Sequence, residues 1–101
     1  MLKQGAKHEP TDRLHKSALV YAAGMGHSAV VERLLQAGAP IDHAPVDALT
    51  PLMWAAGQGH VETVKLLLAK GANILLKDER NLTALDMAKE AKHALVVDLF
   101  Q

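Results

Sequence analysis

The sequence predicts an all-α solenoid, in which antiparallel helix pairs stack side by side and long hairpin-like finger loops join them. Three observations predict it. A segment starting at Ser17 returns at Thr50 and at Thr83, each copy 33 residues after the last, and a period of this length marks one supersecondary unit piled on copies of itself. Within a period, apolar residues recur at helical spacing, as in Val61, Val64, Leu67 and Leu68. Between the two helical stretches the same interruption returns, Gly24-Met25-Gly26-His27 and then Gly57-Gln58-Gly59-His60.

In chain order, residues 1–16 read as the tail of a preceding unit and a first finger, because Leu2, Gly5, Ala6 and Asp12 hold the places of Leu68, Gly71, Ala72 and Asp78. A helix tail of this length cannot stand alone, so residues 1–10 are expected to be frayed or borrowed by a neighbouring molecule. Residues 17–49 and 50–82 form two units and residues 83–101 a C-terminal cap, all within a single domain. In the middle unit, Thr50-Pro51 starts a helix: the hydroxyl accepts from an orphan N–H and proline is preset for the first helical position. Leu52, Ala55 and Ala56 give that helix a small-residue face. Gly57, Gln58 and Gly59 are expected to interrupt it, with Gly59 left-handed. His60 opens the second helix, Gly71-Ala72 closes it, and residues 73–82 make a finger with turn chemistry at Asp78 and Asn81. In the cap, Lys89, Glu90, Lys92 and Asp98 put charge where stacking ends. Upstream, Leu19, Val31, Leu34 and Leu35 are expected to be partly open unless residues 1–5 cover them.

Composition narrows the function. Half of the 101 residues are apolar, yet only Tyr21, Trp54 and Phe100 are aromatic, and the formal charge is zero. No strong field is available to steer nucleic acid or an anionic membrane. Without cysteine there is no disulfide, thiolate metal site or cysteine nucleophile. The first residues lack the apolar run of a secretion signal, and no segment reaches the length of a membrane span. A soluble intracellular protein, most readily cytoplasmic, is the expectation.

The units resemble the ankyrin repeat over essentially the whole chain. That family's T-P-L-H-x-A signature is matched by Thr50-Pro51-Leu52-Met53-Trp54-Ala55, its Gly-His pair by Gly26-His27 and Gly59-His60, and its helix end by Leu34-Leu35-Gln36-Ala37-Gly38-Ala39 and Leu67-Leu68-Ala69-Lys70-Gly71-Ala72. The signature histidine is replaced by Val20, Met53 and Asp86, so a hydrogen bond typical of the family is expected to be absent or altered in every unit. The glycine two residues before the signature Thr is His15, Ala48 and Asn81. Asn tolerates a left-handed turn better than Ala or His, so the finger before Thr50 is expected to deviate. Lys92 in place of the inter-helix glycine implies a strained or rearranged turn.

The resemblance implies a non-catalytic module that binds a protein partner on its concave side, through first helices and finger tips. The positions this carries over are Tyr21, Met25, Val46, Asp47, Leu49, Trp54, Gln58, Glu79, Arg80, Leu82 and Met87. Tyr21, Trp54 and Met87 form one column, which is either a binding strip of large amphipathic side chains or half-buried scaffold. Leu49 and Leu82 either extend that strip or seal one finger against the next, and their recurrence favours sealing. The alternative is a structural role, as a segment of a longer array or a scaffold that self-associates through its uncapped N-terminal unit. His27, His60 and His93 are not a metal set: stacked helices lie roughly 8–10 Å apart, whereas zinc ligands sit about 2 Å from the ion. They are expected to bond neighbouring backbone at helix starts. Asp42 and Asp47 are expected to form turns. No cofactor, metal, nucleic acid or membrane is implied, and no nucleophile elbow or phosphate loop supports an enzyme.

Overall fold

A computed structural model of the protein describes residues 18–44 and 47–100. The expectations for residues 1–10, for the cover from residues 1–5 and for Val46 lie outside them. Six helices and no strand are present among the described residues. They are α1 (18–25), α2 (Ser28–Gln36), α3 (Pro51–Gln58), α4 (Val61–Ala69), α5 (Ala84–Glu90) and α6 (Ala94–Leu99). Within a pair, α3 packs on α4 and α5 on α6. Between pairs, α3 meets α5, while α2 and α6 flank α4.

Small residues let the first helices approach closely, and Leu and Val fill the space behind them. Ala22, Ala23, Ala55, Ala56, Ala84 and Ala88 are buried with Leu19, Val31, Leu52, Val64, Leu67 and Val96. Burying a Leu or Val side chain contributes about 1.5–3 kcal/mol. Of the four residues expected to be partly open, Leu19 and Val31 are fully buried, and only Leu34 and Leu35 are half-buried. Leu85, the counterpart of buried Leu19 and Leu52, is half-buried in the last pair.

The helix starts show what replaces the signature histidine. Thr50 Oγ1 accepts from the Met53 N–H (3.2 Å), and Met53 Sδ accepts in return from the Thr50 N–H (3.3 Å). At α5 the reciprocal pair is Thr83 with Asp86: the Asp86 N–H donates to Thr83 Oγ1 (3.2 Å), and Asp86 Oδ2 accepts from the Thr83 N–H (3.0 Å). The reciprocal cap thus survives with a weak sulfur acceptor in one pair and a strong carboxylate in the next. Donation from the Thr83 N–H, and then from its hydroxyl, holds the Asp86 carboxyl below its ordinary pKa. Val20 offers no acceptor at all.

The turn inside each pair is uniform. Gly57 and Gln58, expected to break α3, are still helical, and Gly59 alone takes the left-handed turn (φ 79°). The three turns close alike, with N–H donation from His27 to Ala22 O (2.9 Å), His60 to Ala55 O (3.0 Å) and His93 to Ala88 O (3.0 Å). Lys92 occupies the glycine position with φ 63°. Its turn is therefore strained but not rearranged, at a cost of about 1–2 kcal/mol.

Histidine joins one pair to the next. The His60 ring donates through Nε2 to the Gly24 carbonyl (3.0 Å), and His93 does the same to Gly57 (3.2 Å). Each satisfies a carbonyl left unpaired at the end of the preceding first helix. The ring of His60 then lies over Gly26, where an added Cβ would sit 2.7 Å from Nδ1, and His93 lies over Gly59 at the same 2.7 Å. Glycine is required there by contact as well as by backbone angle. A second join links Ser28 Oγ with the buried Thr63 Oγ1 at 2.8 Å.

Candidate binding groove

The first helices α3 and α5 lie side by side, and with the finger bases they bound an open groove of about 360 Å3. Its floor is the buried Met53 and Met87 with half-buried Trp54, and Gly57 leaves it clear of a side chain. Exposed Gln58, Arg80, Glu90 and Ala91 form its edges with half-buried Leu49.

The finger above the groove is held by one aspartate. Asp78 Oδ1 accepts from the N–H groups of Arg80 (2.8 Å) and Leu82 (3.0 Å), and its Oδ2 accepts from Arg80 Nε (2.9 Å). Burial pushes the Asp78 carboxyl up, but donation from Leu82 and Arg80 outweighs it, so the pKa lies below the ordinary value. Arg80 is thereby fixed at the groove edge while its side chain stays 62 % exposed. The adjacent finger tips touch: the Glu79 N–H donates to the Asp47 carbonyl at 3.2 Å. Asp42 sits in the turn closed by the His43 N–H on the Pro40 carbonyl (3.2 Å), and its carboxylate also reaches across to accept from the Asn73 N–H at 3.0 Å.

The column of large side chains grades from open to closed. Tyr21 is 70 % exposed, Trp54 half-buried and Met87 only 7 % exposed. Packing against the preceding pair is the cause. Trp54 lies on Gly24, where an added Cβ would be 3.4 Å from ring atom Cε3, and Met87 sits beside Gly57 with its Cβ 3.9 Å from the equivalent point. Trp54 is therefore both seam and groove floor, with its Nε1 buried and unpartnered among the described residues.

Of the candidate positions, the groove brings together Leu49, Trp54, Gln58, Arg80 and Met87. Tyr21 and Met25 (51 % exposed) form a separate apolar pair on α1, one helical turn apart. Asp47 and Glu79 are exposed at the finger tips, and Leu82, like Leu49, packs partly buried against the core. Met53, Gly57 and Glu90 were missed. The signal for them was the repeat itself, because Gly57 and Glu90 are counterparts of Gly24, two positions along the chain from the turn.

No metal-binding group of His, Asp or Glu occurs among the described residues, and no helix of theirs is long and apolar enough to cross a membrane. A family model described as ankyrin repeats (three copies) matches residues 1–78 and, again, 20–100. A search of curated proteins found no match to the chain.

Proposed function

The chain belongs to the ankyrin-repeat family, whose members are generally non-catalytic protein–protein interaction modules, and from that premise we propose that it binds a protein partner in the groove between α3 and α5. The observation that carries this reading is a preformed, open trough with an apolar floor of Trp54 and Met87 and a polar edge. Apolar contact at the centre supplies affinity and the edge supplies selection, as in other interfaces. Of the positions named from the sequence, Leu49, Trp54, Gln58, Arg80 and Met87 meet the partner in the groove, and the proposed setting is intracellular and cytoplasmic, without a cofactor.

Ala91→Trp tests this reading better than truncating Trp54, which would also open the seam on Gly24. Residue 91 is exposed and sits in an ordinary right-handed cap conformation, so a large side chain fills the trough from its edge. Partners captured by the native chain should be lost with Ala91→Trp and kept with Lys65→Ala on α4. Unchanged capture by a folded Ala91→Trp chain would end the groove reading.

Exposure of Tyr21 and Met25 on α1 favours a second reading, association through the upstream face with a repeat array or a second copy. Light scattering that stays monomeric across a dilution series would remove its self-association form.

A further inference from the structure

The trough and the first seam share one side chain. Trp54 lies in the floor and also rests on Gly24 of α1, whereas no residue of α1 or α2 lines the trough. The indole Nε1 is buried without a partner among the described residues. An N–H left that way is a cost, so packing, and no hydrogen bond, keeps the ring where it is. The first pair itself is held mainly from one side. Among the described residues its neighbour is the middle pair, through Trp54 on Gly24, His60 Nε2 on the Gly24 carbonyl and Ser28 on Thr63. The middle pair has neighbours on both sides. Exposure agrees: Val30 is 46 % exposed, whereas Thr63, in register with it, is buried. Stacked units are stabilised by nearest-neighbour interfaces, so a pair with one such interface opens more readily than one with two.

We propose that groove occupancy and docking of the first pair are coupled through Trp54: a partner resting on the ring keeps the first seam closed, and a closed seam presents the ring to the partner. The inference rests on the groove reading and adds its regulation. With α1 in place, Gly24 backs the indole and an occupant meets a fixed apolar floor. With α1 lifted, the ring loses its backing and turns from the floor, so the open state binds the same occupant less tightly. Such a difference in affinity shifts the opening equilibrium toward the closed form. The effect is reciprocal, and whatever clamps α1 and α2 raises groove affinity by the same factor.

The chain has no cysteine, so Ala91→Cys gives a single attachment point at the exposed groove edge. Benzyl methanethiosulfonate then places a phenyl ring in the trough, and methyl methanethiosulfonate gives the same disulfide without the ring. Trp54 is the only tryptophan, and its emission reports whether the phenyl ring reaches the floor. Amide hydrogen exchange in α1 and α2 reports opening of the first pair. Relative to the methyl adduct, the benzyl adduct should shift the emission and slow that exchange by roughly fivefold. Trp54→Leu in the same chain should abolish the slowing; Trp54→Phe is used instead if circular dichroism shows the leucine variant unfolded, and should at least halve it. An emission shift with exchange unchanged or faster overturns the coupling and leaves the groove reading standing. Undiminished slowing in the folded Trp54 variant overturns Trp54 as the link. Absence of any emission shift means that the trough does not hold the phenyl ring, and overturns both.

Discussion

The two fingers occupy the same place in successive units, and among the described residues only the second is anchored internally by a side chain. In the second, Asp78 ties Arg80 and Leu82 together through one buried carboxylate, and its own N–H donates to the Leu82 carbonyl at 2.9 Å. The residue in register in the first finger is Pro45, which has neither a carboxylate nor an N–H. The first finger leans outward instead: Asp42 accepts from Asn73 and Asp47 accepts from Glu79, both in the second finger. Backbone strain follows the same division. Asn81 alone is left-handed in the second finger (φ 70°), whereas both Asp47 (φ 54°) and Ala48 (φ 61°) are left-handed in the first. A loop can thus be held by its own turn or by its neighbour, and the neighbour-held loop tolerates residues that the self-held one would not.

Breaking the anchor should have the largest effect. Asp78→Ala strands the Arg80 and Leu82 N–H groups, and a thermal melt should show Tm lower by roughly 10 °C. Acid should reproduce part of that loss. Asp78 and Asp86 both have folded pKa values below the ordinary one, so their stabilisation is complete above the unfolded-state pKa of about 3.9 and disappears as pH falls through the lower folded values. Denaturation midpoints measured from pH 6 to pH 2.5 should therefore fall steeply below pH 4, and less steeply in Asp78→Ala. The remaining change runs in the opposite direction. Ala48→Gly should give the smallest effect, a gain of up to about 1 kcal/mol from relief of the left-handed alanine, read as a shift in the urea midpoint at constant slope. If Ala48→Gly is neutral or destabilising, the first finger is not strained.

Much of the fold was legible because a repeat states each rule more than once. Thr50-Pro51, the Gly59-His60 turn and the spacing of Val61, Val64 and Leu67 all carry local information, and helix starts and buried faces followed from it. What was not legible depends on contacts between one unit and the next. Ala48 is a poor left-handed residue by propensity, and the finger that contains it differs from the second one, with Asp47 left-handed as well. Asp42 lies in the turn its chemistry suggests, but that its carboxylate also accepts from Asn73 of the next finger could not be read from one unit. Met53 and Asp86 alter the bond of the signature histidine, as expected, each offering its own threonine an acceptor atom. The binding column was ambiguous for the same reason. Whether Tyr21, Trp54 or Met87 faces solvent depends on the glycine of the preceding pair, which no single unit reveals.

Lys92 carries a consequence out of proportion to one methylene. At Gly26 and Gly59 the following histidine ring rests where a Cβ would stand, under 3 Å away, and Lys92 has that Cβ. Glu90 stands where Gly24 and Gly57 receive Trp54 and Met87, and Leu75, 76 % exposed, stands where Asp42 reaches across. Whatever chain lies beyond, another unit cannot dock on the last pair by the same three fittings, nor can the upstream face of a second molecule. A neighbour on this side would have to be held by other contacts, with a lysine side chain and a carboxylate where the inner seams have bare backbone.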